Sequence, residues 1–338
     1  MSIRLATGAG VGLDAHRNDT HIAKPTTMAE VVSQNMRLAI ISAKLSTHAG
    51  VILGARGRSP DAYAAGGSSS YWSFPKTYAS PAGVVTVPWT GYATEDEASD
   101  AILALQVLRA SGRPWFLYVN WHAIHKPWHY PPGYSGIPSL TGAPEARAMT
   151  EYLDAQIGRV LAAVDLTTTT VLFCADNGSI EGLAPASPLR GGKHDVYEGG
   201  IRVPMIAAGQ GIPARGAVCG ELVQSVDLYA TILELTGGAI PVASDAISFA
   251  PSLAGQAGAR SWAFCERFNP NGATSPTLVL EAVLDARHKL VLGAAPAPEF
   301  FDLLADPGEL IPLPIAGLTI AERASYDALL ARANALGH

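Results

Sequence analysis

The chain has 338 residues, 48% hydrophobic and 15% charged, which suits two domains or one large α/β domain with an appendage and gives ample material for a core. A net charge of −6 without any Lys/Arg-rich run argues against nucleic acid as the main partner. It leaves an anionic small molecule open, because sites act through local charge.

In chain order, residues 26 to 38, TTMAEVVSQNMRL, read as a helix with Thr26 or Thr27 as cap and Glu30 in its first turn. LAIISA at 38 to 43 reads as a buried strand. Residues 53 to 93 are rich in Gly, Ser, Pro and Tyr and read as a long irregular insert of the kind that rims pockets. DEASDAILALQVLRASG is an amphipathic helix, PWFLYVNW a strand, EARAMTEYLDAQIGRVLAAVD a helix and TTVLFCAD a strand. The Gly-rich LRGGKHDVYEGGIRVP follows, then strand VPMIAAG and helix VQSVDLYATILELTG. This alternation predicts an α/β fold with a mostly parallel sheet between helices. After about residue 260 the pattern becomes strand, strand, Pro-Gly turn and closing helix (TLVLEAVLDARHKLVLG, EFFDLLADPGE, TIAERASYDALLARANAL). The expected division is therefore 1–260 as the α/β domain and 261–338 as a small C-terminal α+β domain.

Cys174, Cys219 and Cys265 lie far apart and make no metal-type pair. Their odd count argues against a full disulfide framework and leaves one bridge open. No stretch of about 20 apolar residues occurs, so no membrane span is expected. The first residues, MSIRLATGAGVGLDAHRND, carry no apolar export segment as written.

In open α/β sheets, ligands bind beyond the carboxyl ends of the strands. Three such ends are polar here. FLYVNW runs into His122 and His125, VLFCAD ends in Asp176 followed by Asn177, and LAIISA is followed by Lys44 with His48 nearby. The Gly-rich loop adds Lys193 and His194. Asp176 and Asn177 offer hard oxygen ligands suited to Ca²⁺ or Mg²⁺. The lysines and histidines offer donors to an anion's oxygens. Together they describe a site for a phosphate or sulfate ester. Each piece also has a plainer reading. Asp176-Asn177-Gly178 is a good turn by itself, His122 and His129 are the kind of lone histidine that is more often structural, and Lys193 between glycines reads equally as a solvated charge. His16, Arg17 and His21 read as surface. Trp72, Trp89, Trp121 and Trp128 suit either ring stacking or packing.

The order of these pieces resembles the sulfatase family within the alkaline phosphatase superfamily. FCADNG followed by LRGGKHDVYEGGIRVP is similar to its signature. PWFLYVNWHAIHKPWH is similar to its strand ending in His-x-x-His-x-Pro, and TMAEVVSQNMRLAIISAKLSTHAG to its segment leading into Gly-Lys-x-His. EFFDLLADPGE resembles the strand and Asp-Pro-x-Glu turn of its C-terminal domain. The resemblance implies an alkaline-phosphatase-like fold and hydrolysis of a sulfate ester, carried on a small molecule or carbohydrate, at a calcium site. By position it makes Asp176 and Asn177 calcium ligands and Lys193 a sulfate contact that positions the leaving oxygen. His125 stands at the sulfate-binding histidine and Lys44 at the lysine of the Gly-Lys-x-His segment. His48 follows Lys44 by four positions rather than two, so either an insertion keeps its role or Ser46 has replaced it. Glu198 and Arg202 are expected to hold the loop in place.

The family's nucleophile, a formylglycine made within Cys/Ser-x-Pro/Ala-x-Arg, has no counterpart in the sequence. The strand ending in two metal-binding aspartates is also missing, and LATG at 5 to 8 is similar to the segment just behind the nucleophile. Two oxygen-bearing residues are too few for Ca²⁺, which takes six to eight ligands, so weak binding or none is expected. A missing central strand would also expose its neighbours' backbone groups unless another strand filled the gap. Two readings follow: a truncated sulfatase whose real start lies upstream, or a non-catalytic anion-binding or interaction module, including a decaying gene product.

Overall fold

The computed structural model describes residues 2–6, 37–43, 71–80, 83–110, 112, 114–135, 144–179, 188–213, 216–242, 244–270 and 275–336, with backbone alone at 2–6, 37–43, 77–80 and 83–85. The helix expected at 26 to 36, Lys44 and His48 lie outside the described residues.

The described elements begin with strands β1 (Ser2–Ala6), β2 (Arg37–Ala43), β3 (Ser73–Ser80) and β4 (Gly83–Thr90). Helix α1 (Ala93–Ala110), β5 (Phe116–Asn120), α2 (Pro144–Ala162) and β6 (Thr169–Ala175) come next. β7 (Arg202–Val203), β8 (Met205–Gly209), β9 (Val218–Val223) and α3 (Asp227–Leu235) follow. The chain then forms β10 (Ala263–Asn269), β11 (Leu278–Leu284), β12 (His288–Leu292), β13 (Glu299–Asp302) and α4 (Ile320–Ala335).

The main sheet has seven strands in the order β5-β2-β6-β8-β1-β7, with β9 also paired to β1. β2, the strand expected from LAIISA, pairs in parallel with both β5 and β6. The order is mixed rather than mostly parallel, because β8 runs antiparallel to β6 and to β1. The sequence could not show this, because a short apolar run records burial rather than the direction in which a strand pairs.

Apolar residues alternate across the sheet. Leu117 and Val119 of β5 and Val171 of β6 pack with Ala98, Ala101, Leu105, Leu153 and Val160 of α1 and α2. Leu172 and Cys174 pack on the opposite face with Leu228 and Ile232 of α3. Both faces are covered, which is why β6 reads as a continuous apolar run rather than an alternating one.

The insert between 53 and 93, expected to be irregular, contains an antiparallel hairpin, β3–β4, in register from Ser73–Thr90 to Ser80–Gly83. Lys76 ties it to α1 through Asp96 at 2.7 Å and Asp100 at 2.8 Å. Composition hid the hairpin, because Pro75 and Pro88 sit within its strands, where proline is admitted only at edges.

β10 to β13 form a separate antiparallel sheet in sequence order. One face buries Val283, Leu290 and Phe300 under Tyr326, Leu329 and Ala333 of α4. The other face buries Ala263, Cys265, Leu280, Ala282 and Phe301 against Val196, Tyr197 and Ile201 of the Gly-rich loop. The C-terminal sheet is therefore the floor on which that loop lies.

The hairpin of β12 and β13 carries a pH-sensitive contact. Arg287 donates to Asp302 at 2.7 Å, and this bond, opposed by burial and helped by the Leu304 and Ala305 amides, holds the Asp302 carboxyl down at about 2. A carboxyl depressed below its unfolded value of roughly 3.9 stabilises the fold above that pH and loses the contribution as pH falls toward 2. The urea midpoint should drop more steeply between about pH 4 and pH 2 in the native protein than in Asp302→Asn. Equal slopes would remove Asp302 from the acid response.

Candidate functional site

The carboxyl ends of β5, β2 and β6 lie level. Ser42 aligns with Asn120 on one side and Cys174 on the other, and Ala43 with Ala175. The residues that follow β5 and β6, namely His122 to His125 and Asp176-Asn177, thus emerge on one edge of the sheet. They stand two strand spacings apart, roughly 10 Å.

The Gly-rich loop returns to this edge. The Lys193 amide donates to the Ser179 carbonyl at 2.7 Å, and the Gly178 amide to the Gly200 carbonyl at 2.8 Å. These bonds bring Lys193 alongside the end of β6, beside Asp176 and Asn177. The approach demands glycine. A Cβ on Gly178 would stand 1.8 Å from the Gly199 carbonyl oxygen, and one on Gly199 2.4 Å from that of Gly191. Gly191 has φ +75 and so does His194, a region that residues other than glycine seldom occupy.

The loop is fixed from below by charge. Lys289 of β12, fully buried, reaches Glu198 at 3.2 Å and Glu309 at 2.8 Å. Burial pulls the pKa of its ammonium down, but the Glu198 and Glu309 carboxylates outweigh that and leave it above the ordinary lysine value, so it stays charged. Glu309 also accepts from the Glu198 amide. Arg202 stands 3.9 Å from Glu198, adding a second positive charge. A parallel contact lies nearby, where the Arg190 guanidinium stacks 3.7 Å above the Tyr197 ring and pairs with Glu299 at 3.2 Å. Tyr197 donates to Glu299 as well.

The expected Glu198–Arg202 pair is thus the weaker part of the fixing device. Lys289 and Glu309 carry most of it, and the sequence reading missed them. A signal existed: HKLVL places a lysine inside an apolar run, and a buried lysine needs a paired carboxylate.

At the end of β5 the His122–His125 turn is held by the Tyr71 hydroxyl, which donates to the His125 carbonyl at 2.7 Å and the His122 carbonyl at 3.1 Å. The Glu97 carboxylate accepts from the His122 amide. His125 Nδ1 lies 2.9 Å from the Lys126 carbonyl, so Nδ1 carries the proton. Nε2 then donates to an anion only when the ring holds both protons, and accepts otherwise. His129 is structural. Its Nδ1 donates to the Pro127 carbonyl at 2.8 Å, its Nε2 meets the Tyr92 hydroxyl at 3.0 Å, and burial lowers its pKa. Of the four tryptophans, Trp121 is core, Trp89 packs on Phe74, Trp128 lies under Lys126 and Trp72 is exposed at the edge of a Tyr92–His129 cluster.

A hard cation such as Ca²⁺ needs six to eight oxygen ligands. Asn177 spends its amide nitrogen on the Gly178 carbonyl at 3.1 Å, which leaves its oxygen as the one ligand atom. Among the described residues no group of three or more His, Cys, Asp or Glu could hold a metal ion. Asp195, the nearest acid in sequence to the loop tip, turns back to accept from the Val196 amide at 2.9 Å. Asp176 and Asn177 together bring one negative charge and too few oxygens for Ca²⁺. The described residues do not make its site.

Comparison with known proteins bears on the identity. Residues 54–239 match the sulfatase family. Mouse steryl-sulfatase is 30% identical over 264 residues, covering 66% of this chain and 41% of that protein. Bovine arylsulfatase A is 31% identical over 231 residues, covering 59% and 44%. The chain thus matches less than half the length of these curated relatives. The crystal structure of Ps i-CgsB superposes with a TM-score of 0.68 at 17% identity, over 90% of this chain and 73% of that one. BT4656, solved with its substrate D-glucosamine-2-N,6-O-disulfate, gives 0.68 at 16% over 98% and 90%. These likenesses show an alkaline-phosphatase-like sulfatase fold. The chain belongs to the sulfatase family.

Proposed function

We propose that the polar edge formed by β5, β6 and the Gly-rich loop binds the sulfuryl group of a sulfate ester, and that sulfuric ester hydrolysis is the chemistry to which this binding belongs. The observation that carries the reading is the bond of 2.7 Å from the Lys193 amide to the Ser179 carbonyl, which holds the Lys193 backbone beside the Asp176–Asn177 turn. In this reading Lys193 donates to a sulfuryl oxygen and faces the leaving oxygen. His125, doubly protonated, donates from the end of β5, and Lys44 and His48 supply further donors. Such donors stabilise charge that builds on the oxygens during S–O cleavage. Sulfatases are in general metal-dependent, and calcium at Asp176–Asn177 would need further ligands.

The 338 residues hold no Cys/Ser-x-Pro/Ala-x-Arg motif. That favours a second reading for this stretch of chain, binding without turnover. The reading also takes 1–260 as the domain that carries the site and 261–338 as a small domain that supports it. Support for a carbohydrate ester comes from the neighbours: Ps i-CgsB was solved with a neocarrahexaose and BT4656 with a disulfated glucosamine.

Titration calorimetry with p-nitrophenyl sulfate tests the proposal. Lys193→Ala is expected to weaken binding at least about ten-fold, the loss of one charge-assisted hydrogen bond, with unchanged circular dichroism. No release of p-nitrophenol is expected with calcium present. Equal affinity in the variant would take Lys193 out of the site, and turnover by pure protein would show a nucleophile that the sequence motif does not predict.

A further inference from the structure

Resting on the sulfate-ester reading, we propose that Arg267 binds a second anionic group of the same ligand, a carboxylate or another sulfate, and so selects for doubly charged esters. Arg267 lies on β10 and aligns with Leu280 of β11. It follows Ala263 and Cys265 at strand spacing, and all three side chains point to the same face. That is the face that receives the loop: Cys265 Sγ lies 3.9 Å from the Val196 carbonyl, and Ala263, Cys265 and Leu280 pack on Val196 and Tyr197. Arg267 is the last of the three along β10. It stands beside the part of the loop that carries Lys193 and His194.

Three groups that can carry positive charge therefore lie within electrostatic reach of one another. Among the described residues, the Arg267 guanidinium makes no side-chain hydrogen bond or ion pair, although it is half-buried. The nearest acids are committed elsewhere. Asp195 turns to the Val196 amide, and Glu266, its neighbour on β10, points to the opposite face of the sheet. Electrostatics agree: the His194 imidazole is held below its ordinary pKa by burial first, then by the charges of Lys193 and Arg267. A half-buried guanidinium without a side-chain partner among the described residues, within reach of the Lys193 charge, has a standing cost that an anion would remove. Its planar fork matches a carboxylate or sulfate with two parallel bonds. Lys193 is already assigned to the ester that reacts, so Arg267 is left for a neighbouring substituent. It acts as a specificity residue.

The test is titration of the full chain with two probes, a monosulfated glucosamine and D-glucosamine-2-N,6-O-disulfate. The disulfate should bind about ten-fold more tightly, the worth of one charge-assisted contact. Arg267→Gln should bring the ratio to near one while leaving monosulfate affinity within about two-fold, and Arg267→Lys, which keeps the charge and loses the fork, should give an intermediate ratio. Lys193→Ala should weaken both probes together. A wild-type ratio near one, or a ratio that Arg267→Gln leaves unmoved, overturns the role of Arg267 while the sulfate site stands. Failure of the monosulfate to bind the wild-type chain overturns both. A thermal melt of each variant separates lost binding from lost fold.

Discussion

Replacing Lys289 with methionine is expected to destabilise the protein by about 3–5 kcal/mol, the cost of removing one partner from a buried charge cluster. Lys289 and Glu309 are fully buried and Glu198 nearly so, and the variant leaves two carboxylates facing each other. Arg202 at 3.9 Å is too distant and too exposed to replace the ammonium. Against a total stability of roughly 5–15 kcal/mol, that is about a fifth or more. Urea denaturation reads the change directly. The double variant Lys289→Met with Glu309→Leu should recover part of it, because it removes one of the two stranded carboxylates and with it their mutual repulsion, while Glu198 remains. A loss below about 1 kcal/mol for the single variant would mean that the carboxylates find water or protons cheaply. The cluster would then not be what holds the loop.

Gly178→Ala is expected to abolish sulfate-ester binding and to cost about 2–3 kcal/mol. The new methyl carbon would stand 1.8 Å from the Gly199 carbonyl oxygen, a backbone atom that cannot swing aside. Relief requires the whole 190 to 200 segment to move off the end of β6. The Lys193–Ser179 bond lies within that contact, so the lysine leaves with it. Gly158→Ala is the control. That glycine is exposed in the interior of α2 with open space around its Cβ position, and alanine there should stabilise by up to about 1 kcal/mol. Retained binding in Gly178→Ala would show that Lys193 reaches the anion from another loop conformation.

Much of the layered core was legible because periodicity records burial. β5, β6, α1, α2 and α3 fall where apolar runs and amphipathic windows predicted them. The Asp176-Asn177 turn and the Lys193 loop were legible as polar punctuation after apolar strands. What escaped shares a different property. The β3–β4 hairpin has prolines inside its strands, β10 (AFCERFN) is a strand with two charged residues, and the antiparallel direction of β8 is a matter of its pairing with β6 and β1, which an apolar run does not record. The Lys289–Glu198–Glu309 cluster joins positions far apart in sequence. No local pattern shows which carboxylate a buried lysine will meet, although its presence in an apolar strand shows that it must meet one.

The clamp under the loop also sets an order of events during synthesis. Lys193 leaves the ribosome with β6 already made, yet Glu309, which closes the cluster around Glu198, follows about a hundred residues later. At about 5–20 residues per second, the loop waits on the order of ten seconds with Glu198 unmatched and the apolar side chains of Val196, Tyr197 and Ile201 uncovered. The nascent chain can form its β5-β2-β6 core in that interval, but not a set anion site. An exposed apolar loop beside a finished sheet is what a ribosome-associated chaperone would meet first.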